Sequence, residues 1–227
     1  MTAAPPSCHR IALVDDHTLV REGMKMFVEN LDGFACAWTA ADAQEALRML
    51  EYDLPDVLVV DITLPGRNGL ELIKDVRALH PDLPVLVVSM HDEALYAQRA
   101  LKAGAKGYVM KDAPYGAFEK ALRRVISGGI ALSDKMSETI LLAFSSGANP
   151  GPDGAIHHLS DREFEVFQLI GEGRSTGQIA ETLKISPKTV DVHKLKIRSK
   201  LKLTEGTSLT SFAIRWVEMR KLGRRVD

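Results

Sequence analysis

The first half of the chain alternates five short apolar runs with amphipathic stretches, and this alternation restricts the fold more than any other feature of the sequence. The runs cover residues 11–14, 34–38, 57–60, 85–88 and 107–110, and helical patterns lie near 17–31, 41–51, 67–79, 92–103 and 114–127. Runs almost continuous in Val, Leu and Ile are typical of strands buried on both faces of a parallel sheet. The sequence therefore predicts a doubly wound α/β domain with a five-stranded parallel sheet.

The second half of the chain is purely helical and carries clear signals for helix starts. Ser160–Glu163 has the S-x-x-E pattern of a capping box, and Ser175–Gln178 has a similar one. Ser186 followed by Pro187 is a cap residue followed by proline at the first helical position. A short helix over 175–183, a tight turn and a longer helix to about residue 201 predict a helix-turn-helix. With a fourth helix near 207–221, this half is a smaller all-α four-helix domain.

These patterns divide the chain into a first domain at residues 10–128 and a second at 157–221. Residues 129–156 are predicted to be a linker with a short helix over 133–144. Residues 145–154 hold three Gly and two Pro and almost nothing that could pack, which indicates a flexible segment.

Charge is distributed unevenly between the two halves. Residues 1–127 carry 14 Lys/Arg and 18 Asp/Glu, whereas residues 155–227 carry 14 Lys/Arg and 9 Asp/Glu. An acidic half joined to a basic half indicates two tasks, and the basic half is the candidate for binding nucleic acid.

The sequence indicates a cytoplasmic protein with no membrane association. No apolar run is long enough to cross a bilayer, and the first eight residues lack a signal-peptide pattern. The two cysteines, Cys8 and Cys36, form no C-x-x-C and are interpreted as thiols of a reducing cytoplasm.

Acidic, hydroxyl and ammonium side chains follow four of the predicted strands. Asp15 and Asp16 follow the first strand, Asp61 the third, Ser89 the fourth and Lys111 the fifth. Taken singly, an Asp after a strand is usually a helix cap, and a Ser or Lys there is usually solvated. Together, at the carboxyl ends of a parallel sheet, they predict one site. Three carboxylates at one edge would repel one another, and Mg²⁺ is the hard cation that suits them.

Four segments of the first half resemble the receiver domains of response regulators, which have a flavodoxin-like fold. They are Val14–His17, Asp61–Gly69, Val87–Ser89 and Gly104–Asp112. The resemblance implies that Asp61 is a phosphoacceptor that takes its phosphoryl group from a phosphohistidine on a sensor histidine kinase. It also implies a Mg²⁺ site formed by Asp15, Asp16, Asp61 and the backbone carbonyl of Thr63.

The same resemblance implies a switch built from Ser89, Tyr108 and Lys111. A phosphoryl group adds about −1.5 to −2 units of charge and three strong acceptors. Ser89 would move to bond the phosphoryl group, the Tyr108 ring would fill the space that it leaves, and Lys111 would pair with the acyl phosphate. The alternative for Tyr108 is an ordinary half-buried strand aromatic.

The third helix of the second half has a basic, outward-facing side. Residues 188–202 hold six basic residues and one acid. At about 100° per residue, Val190, His193 and Ile197 fall on the packing side, so His193 is interpreted as a core histidine. Val192 and Leu195 fall on the outer side, where they could contact thymine methyl groups or a protein partner, or be scattered surface residues.

Segments Leu159–Glu163, Ile179–Leu183, Ile185–His193 and Ile197–Leu201 resemble the LuxR-type helix-turn-helix. Together with the receiver pattern, they imply the NarL/FixJ class of response regulators. By position, the DNA contacts would be Lys188, Thr189, Val192 and Lys196, with backbone contacts from Ser175, Thr176, Gln178, Lys194 and Arg198. Leu195 stands where a polar residue is common in the family.

The two resemblances together imply a response regulator that is phosphorylated on Asp61 and controls transcription through double-stranded promoter DNA. The expected partners are a sensor histidine kinase, RNA polymerase and, after phosphorylation, a second copy of the chain. We expect no enzyme. A phosphatase of the haloacid dehalogenase type is the first alternative, but Asp61–Thr63 lacks the second Asp of its D-x-D motif. A receiver used without phosphorylation or specific DNA is the second.

Overall fold

Five parallel strands form the centre of the first half of the chain. The structure, a computed structural model, describes residues 8–145, 156, 158–204 and 207–223. The strands are β1 (His9–Val14), β2 (Phe34–Ala40), β3 (Val57–Val60), β4 (Val85–Ser89) and β5 (Gly107–Met110), in the order β2-β1-β3-β4-β5. Every neighbouring pair is parallel. This sheet confirms the predicted α/β fold.

Helices cover both faces of the sheet because its strands are apolar on both sides. They are α1 (Thr18–Glu29), α2 (Ala43–Tyr52), α3 (Gly69–Leu79), α4 (Glu93–Ala103) and α5 (Tyr115–Ile126). All residues of Ile11–Val14 and Val57–Val60 are almost completely buried. The core on one face joins Leu13, Val59 and Val88 to Val28 and Leu122. Burial of this kind contributes about 1.5–3 kcal/mol for each large aliphatic side chain.

The chain after α5 returns to the open edge of the sheet. Ala131 forms a parallel bridge with Gly107, and its carbonyl accepts a hydrogen bond from the Tyr108 N–H at 2.8 Å. A Cβ on Gly107 would lie 2.8 Å from Ala131 Cβ, so only glycine allows this approach. Helix α6 (Asp134–Ser145) follows. The segment after it that was predicted to be flexible lies outside the described residues, apart from Ser145.

The chain divides into two compact units, Met1–Ser145 and Ser146–Asp227. The second unit contains α7 (Asp161–Gly171), α8 (Thr176–Thr182), α9 (Pro187–Lys200) and α10 (Leu209–Gly223). Its helix starts follow the predicted caps: Ser160 and Ser175 form capping boxes, and Ser186 caps α9 with Pro187 in its first turn. Within the described part of the chain, no helix has both the length and the apolar character needed to cross a membrane.

The core of the second unit forms where α7 and α10 pack closely. A Cβ on Gly171 of α7 would lie 2.7 Å from the Ala213 carbonyl oxygen of α10, so glycine sets the separation of the two helices. The rings of Phe167 and Trp216 meet nearly edge to face, with centroids 5.5 Å apart. Val190 and Ile197 of α9 are completely buried, which leaves the opposite side of that helix in solvent.

Candidate functional site

The parallel sheet brings the predicted strand-end residues to one edge. Asp61 continues β3, and its N–H donates to the Val14 carbonyl at 2.9 Å. Lys111 continues β5, and its N–H donates to the Ser89 carbonyl at 2.9 Å. Asp15, Asp61 and Ser89 are buried although all three are polar. Burial of polar groups without full pairing is costly, and such clusters are characteristic of functional sites.

One ammonium group forms ion pairs with two of the carboxylates. Lys111 Nζ lies 2.6 Å from Asp15 Oδ2 and 2.7 Å from Asp61 Oδ2. Burial raises the pKa of the Asp61 carboxyl, and the Lys111 ammonium opposes that shift without cancelling it. Burial alone would lower the pKa of Lys111, but the charges of Asp61 and Asp15 outweigh it and the pKa is raised. The lysine therefore stays charged beside a carboxylate that is poorly solvated.

The acidic cluster fits a hard cation. Ligand atoms of Asp15, Asp16, His17 and Asp61 all lie within 4.8 Å of one another. Oδ1 of Asp61 is buried and has no hydrogen-bond donor among the described residues. Because carboxylate oxygens are the ligands that Mg²⁺ prefers, Asp15, Asp16 and Asp61 could hold that ion. The carbonyl of Thr63 remains a predicted fourth ligand.

Gly69 fixes the loop that carries Asp61. Its N–H donates to the Ile62 carbonyl at 2.8 Å, and a Cβ at this position would overlap the carbonyl oxygen of Asp61. Asn68 caps α3 by accepting a hydrogen bond from the Glu71 N–H at 2.9 Å. The loop therefore closes back on the phosphoacceptor candidate and orients it.

Tyr108 points into the domain and reaches the loop after β4. Its hydroxyl donates to the His91 carbonyl at 2.7 Å, and the side chain is buried. Burial raises the pKa of the Tyr108 phenol far above its usual value, so the group stays protonated and can donate. The His91 N–H donates to Ser89 Oγ at 3.3 Å, which joins the two predicted switch residues through one intervening residue.

His91 also binds the loop after β3. Its Nε2 lies 2.9 Å from Thr63 Oγ1, and its ring stacks on Tyr96 with centroids 4.6 Å apart. Burial lowers the pKa of His91 to about 4, and the nearby Lys111 charge adds to that shift. The ring is therefore neutral near pH 7.

No role was predicted for His91 or His17 from the sequence. Both follow strand ends that carry assigned residues, so their position at the same sheet edge was the available signal. The ring Nδ1 of His17 lies 2.8 Å from Asp16 Oδ1. The backbone N–H of His17 donates to Asp15 Oδ1 at 2.9 Å. His17 thus orients the two aspartates, and His91 links the loops on either side of Asp61.

Helix α9 presents the predicted base-contacting residues on its outer side. Lys188 and Lys196 are exposed, and Val192 is 43% exposed. Thr189 is half-buried, and its hydroxyl lies 2.8 Å from Ser186 Oγ at the helix cap. His193 is half-buried on the inner side. The outer surface of α9 therefore combines exposed cations with an apolar centre.

The residues predicted to contact the DNA backbone are held within the domain. Lys194 Nζ bonds to Thr176 Oγ1, which ties α9 to the start of α8. Arg198 donates to the carbonyls of Thr207 at 3.2 Å and Thr204 at 3.3 Å. Ser175 and Gln178 cap each other. DNA contacts by this group remain predictions, and its visible role is to fix the helix-turn-helix geometry.

Comparisons with known proteins agree with this geometry. Residues 11–123 match the response regulator receiver domain family, and residues 157–213 match the bacterial regulatory proteins of the luxR family. The chain is 34% identical to oxygen regulatory protein NreC of Staphylococcus carnosus, over 91% of this chain and 97% of that protein. It is 32% identical to transcriptional regulatory protein DegU of Brevibacillus brevis, over 93% and 96%.

A solved structure shares the fold. RcsB from Salmonella enterica serovar Typhimurium, bound to promoter rprA in the presence of the phosphomimetic BeF3⁻, superposes with a TM-score of 0.60 at 23% identity. The match covers 91% of this chain and 98% of that one. Both family matches agree with the acidic edge of the five-stranded parallel sheet and with the helix-turn-helix. The chain belongs to the NarL/FixJ class of two-component response regulators, which join a receiver domain to a LuxR-type DNA-binding domain.

Proposed function

We propose that phosphorylation of Asp61 by a sensor histidine kinase controls the binding of this response regulator to promoter DNA. The observation that supports this most strongly is the state of the Asp61 carboxylate. Its Oδ2 accepts from Lys111 at 2.7 Å, while its buried Oδ1 has no donor among the described residues. A poorly solvated carboxylate at the end of a strand, beside an ammonium group, is suited to attack phosphorus.

The phosphoryl transfer needs no reactant other than the phosphohistidine. An Asp61 carboxylate oxygen attacks the phosphorus of a phosphohistidine, the O–P bond forms, and the P–N bond breaks as its electron pair returns to the imidazole. When bound by Asp15, Asp16 and Asp61, Mg²⁺ would supply positive charge for the phosphoryl oxygens. Lys111 supplies a second positive charge beside Asp61, and its raised pKa keeps it protonated.

The added charge would then act on the switch residues. A phosphoryl group brings three strong acceptors to a site where Ser89 has a buried hydroxyl and Tyr108 reaches the next loop. Converting a population from 1:99 to 99:1 needs about 5.5 kcal/mol of differential stabilisation. Several charge-assisted hydrogen bonds, at about 1.5–3 kcal/mol each, are sufficient.

At the output end, α9 would enter the major groove of double-stranded promoter DNA. Lys188, Thr189, Val192 and Lys196 would contact bases, and the basic surface would contact phosphates. RcsB, which shares the fold, has been solved on a promoter. We further propose that the phosphorylated chain forms a homodimer, acts with RNA polymerase in the cytoplasm, and is a regulator rather than an enzyme.

The test follows one sample through phosphorylation, assembly and DNA binding. The full chain is treated with Mg²⁺ and acetyl phosphate, and intact mass, oligomeric state and affinity for random-sequence and selected duplexes are measured. We expect a hydroxylamine-labile gain of one phosphoryl group, together with dimerisation and tighter specific binding, all absent in Asp61→Asn. Phosphorylation without any change in DNA binding would contradict the proposal, and so would turnover of simple phosphomonoesters.

A further inference from the structure

Two apolar side chains stand in solvent at the centre of the outer side of α9. Leu195 is 68% exposed and Val192 is 43% exposed, whereas Val190 and Ile197 on the inner side are completely buried. Residues three apart on a helix are neighbours, so Val192 and Leu195 form one patch, called here the apolar pair. The packing of the helix-turn-helix does not require this patch, because the core of the unit lies on the other side of the helix.

Two exposed cations and one exposed acid, Asp191, neighbour the apolar pair. Lys188 precedes Val192 by four residues, Lys196 follows it by four, and both are exposed. Residues 188–202 carry six basic residues and one acid. A surface with this excess of Lys and Arg suits the phosphate backbone of DNA. The position of the pair within a basic surface therefore favours DNA as its occupant.

The chemistry of leucine restricts what it can recognise in a major groove. Its side chain has no donor and no acceptor, so it cannot pair with the N7, O6, O4 or amino groups of the bases. The one apolar feature that a base pair presents in the major groove is the C5-methyl group of thymine. A polar residue at position 195 would read hydrogen-bonding edges, and leucine changes that preference.

We propose that Leu195, together with Val192, determines specificity by packing against a thymine methyl group in the major groove. This inference rests on the proposed DNA-binding function and deepens it, because it names the chemical group that one position of α9 selects. The selected operator would carry thymine opposite Leu195, and substitution of that base would weaken binding even where every hydrogen-bonding edge is retained.

The experiment removes the methyl group alone. Duplexes are first selected from a random-sequence pool with the full chain in the presence of Mg²⁺ and acetyl phosphate. Each thymine of the selected duplex is then replaced by deoxyuridine, which keeps the same pairing and lacks only the methyl group. We expect about a fourfold loss of affinity at one or two thymines, the equivalent of about 0.8 kcal/mol for one buried carbon. The Leu195→Asn variant should bind the thymine duplex and the deoxyuridine duplex with equal affinity at one of these positions.

Two further variants make the result specific. Lys196→Gln should weaken binding to the selected duplex while the thymine-to-deoxyuridine ratio at the Leu195 position stays at its parental value. Met219→Gln, which replaces an equally exposed apolar side chain on α10 (67% exposed), should keep the same ratio and tests the general effect of surface apolarity. Thermal unfolding of Leu195→Asn should match that of the parent, because the side chain lies outside the core.

The possible results separate recognition of a thymine methyl group by Leu195 from specific DNA binding by the chain. Specific binding with no deoxyuridine penalty, or with the same penalty in Leu195→Asn, would overturn the inference and leave DNA binding intact. Lost self-association with unchanged base discrimination would make the apolar pair a protein contact and would also overturn it. Equal affinity for all duplexes would overturn both.

Discussion

The hydroxyl of Tyr108 donates a hydrogen bond of 2.7 Å to the carbonyl oxygen of His91. This bond joins the last strand of the receiver sheet to the loop that follows the neighbouring strand. The same loop is held by the Thr63 hydroxyl through the His91 ring at 2.9 Å. The segment after Asp61 and the strand that contains Tyr108 are therefore both hydrogen-bonded to His91.

Tyr108→Phe should separate phosphorylation from its consequences. The ring still fills its buried site, but the hydrogen bond to His91 is lost, a change of about 1 kcal/mol. Because the hydroxyl does not bond to Asp61, we expect the rate of phosphorylation by acetyl phosphate to stay within twofold of the parent. The gain in DNA affinity on phosphorylation should fall by about fivefold, as measured by titration with and without the phosphodonor. An unchanged gain in affinity would contradict the role given to this bond.

The receiver domain should lose stability in mild acid because of His91. Its pKa is lowered from 6.5 to about 4 in the folded chain, so the unfolded state takes up a proton first as the pH falls. Stability present at pH 7 is therefore lost between about pH 6.5 and pH 4, by up to about 3 kcal/mol. Urea unfolding across this range measures the loss.

Other groups also titrate in this pH range, so the control is to compare the pH dependence of stability between histidine variants. His91→Asn should flatten the decline, and His80→Asn, at the end of α3, should keep it. An identical decline in His91→Asn and the parent would show that the buried ring does not carry the effect.

Gly69→Ala should destabilise the receiver and disturb Asp61 together. The new methyl group would overlap the Asp61 carbonyl oxygen, so the loop must shift, at a cost of about 1–3 kcal/mol. Gly23→Ala is the matched control, because a Cβ there meets nothing within 4 Å inside α1. It should raise stability by about 0.5–1 kcal/mol. Chemical denaturation compares the two, and equal effects would contradict the geometry.

Arg198→Ala should lower the stability of the DNA-binding domain, because Arg198 bonds within the domain. The guanidinium bonds to the carbonyls of Thr204 and Thr207, so its removal should cost about 1–2 kcal/mol. Lys196→Ala, on the exposed side of the same helix, should change stability by less than about 0.5 kcal/mol. Lys196→Ala should instead reduce the salt dependence of DNA binding. The reverse ranking in thermal unfolding would contradict the placement of these two side chains.

The fold was predictable because local patterns determine it. The apolar runs at Ile11–Val14 and Val57–Val60 become fully buried strands, and the serine caps at 160, 175 and 186 begin the helices. The order of strand ends then places Asp15, Asp61 and Lys111 together, as expected of a parallel sheet.

Other features depend on contacts between distant segments, which no local pattern records. The return of Ala131 to β5 follows from the open edge of the sheet and from the missing side chain of Gly107. The bonds of Lys194 to Thr176 and of Arg198 to the loop before α10 turn two expected DNA ligands inward. The role of His91 arises in the same way, because Thr63, Tyr96 and Tyr108 reach it from three separate elements.

Whether Asp61 accepts the phosphoryl group is decided by locating that group on the chain. The chain is phosphorylated with acetyl phosphate and Mg²⁺ and then reduced with borohydride, which converts a phosphorylated aspartate to homoserine, and its peptides are sequenced by mass spectrometry. We predict homoserine at position 61 and unmodified aspartate at positions 15 and 16. Homoserine at either of those positions, or at none of the three, would contradict the account.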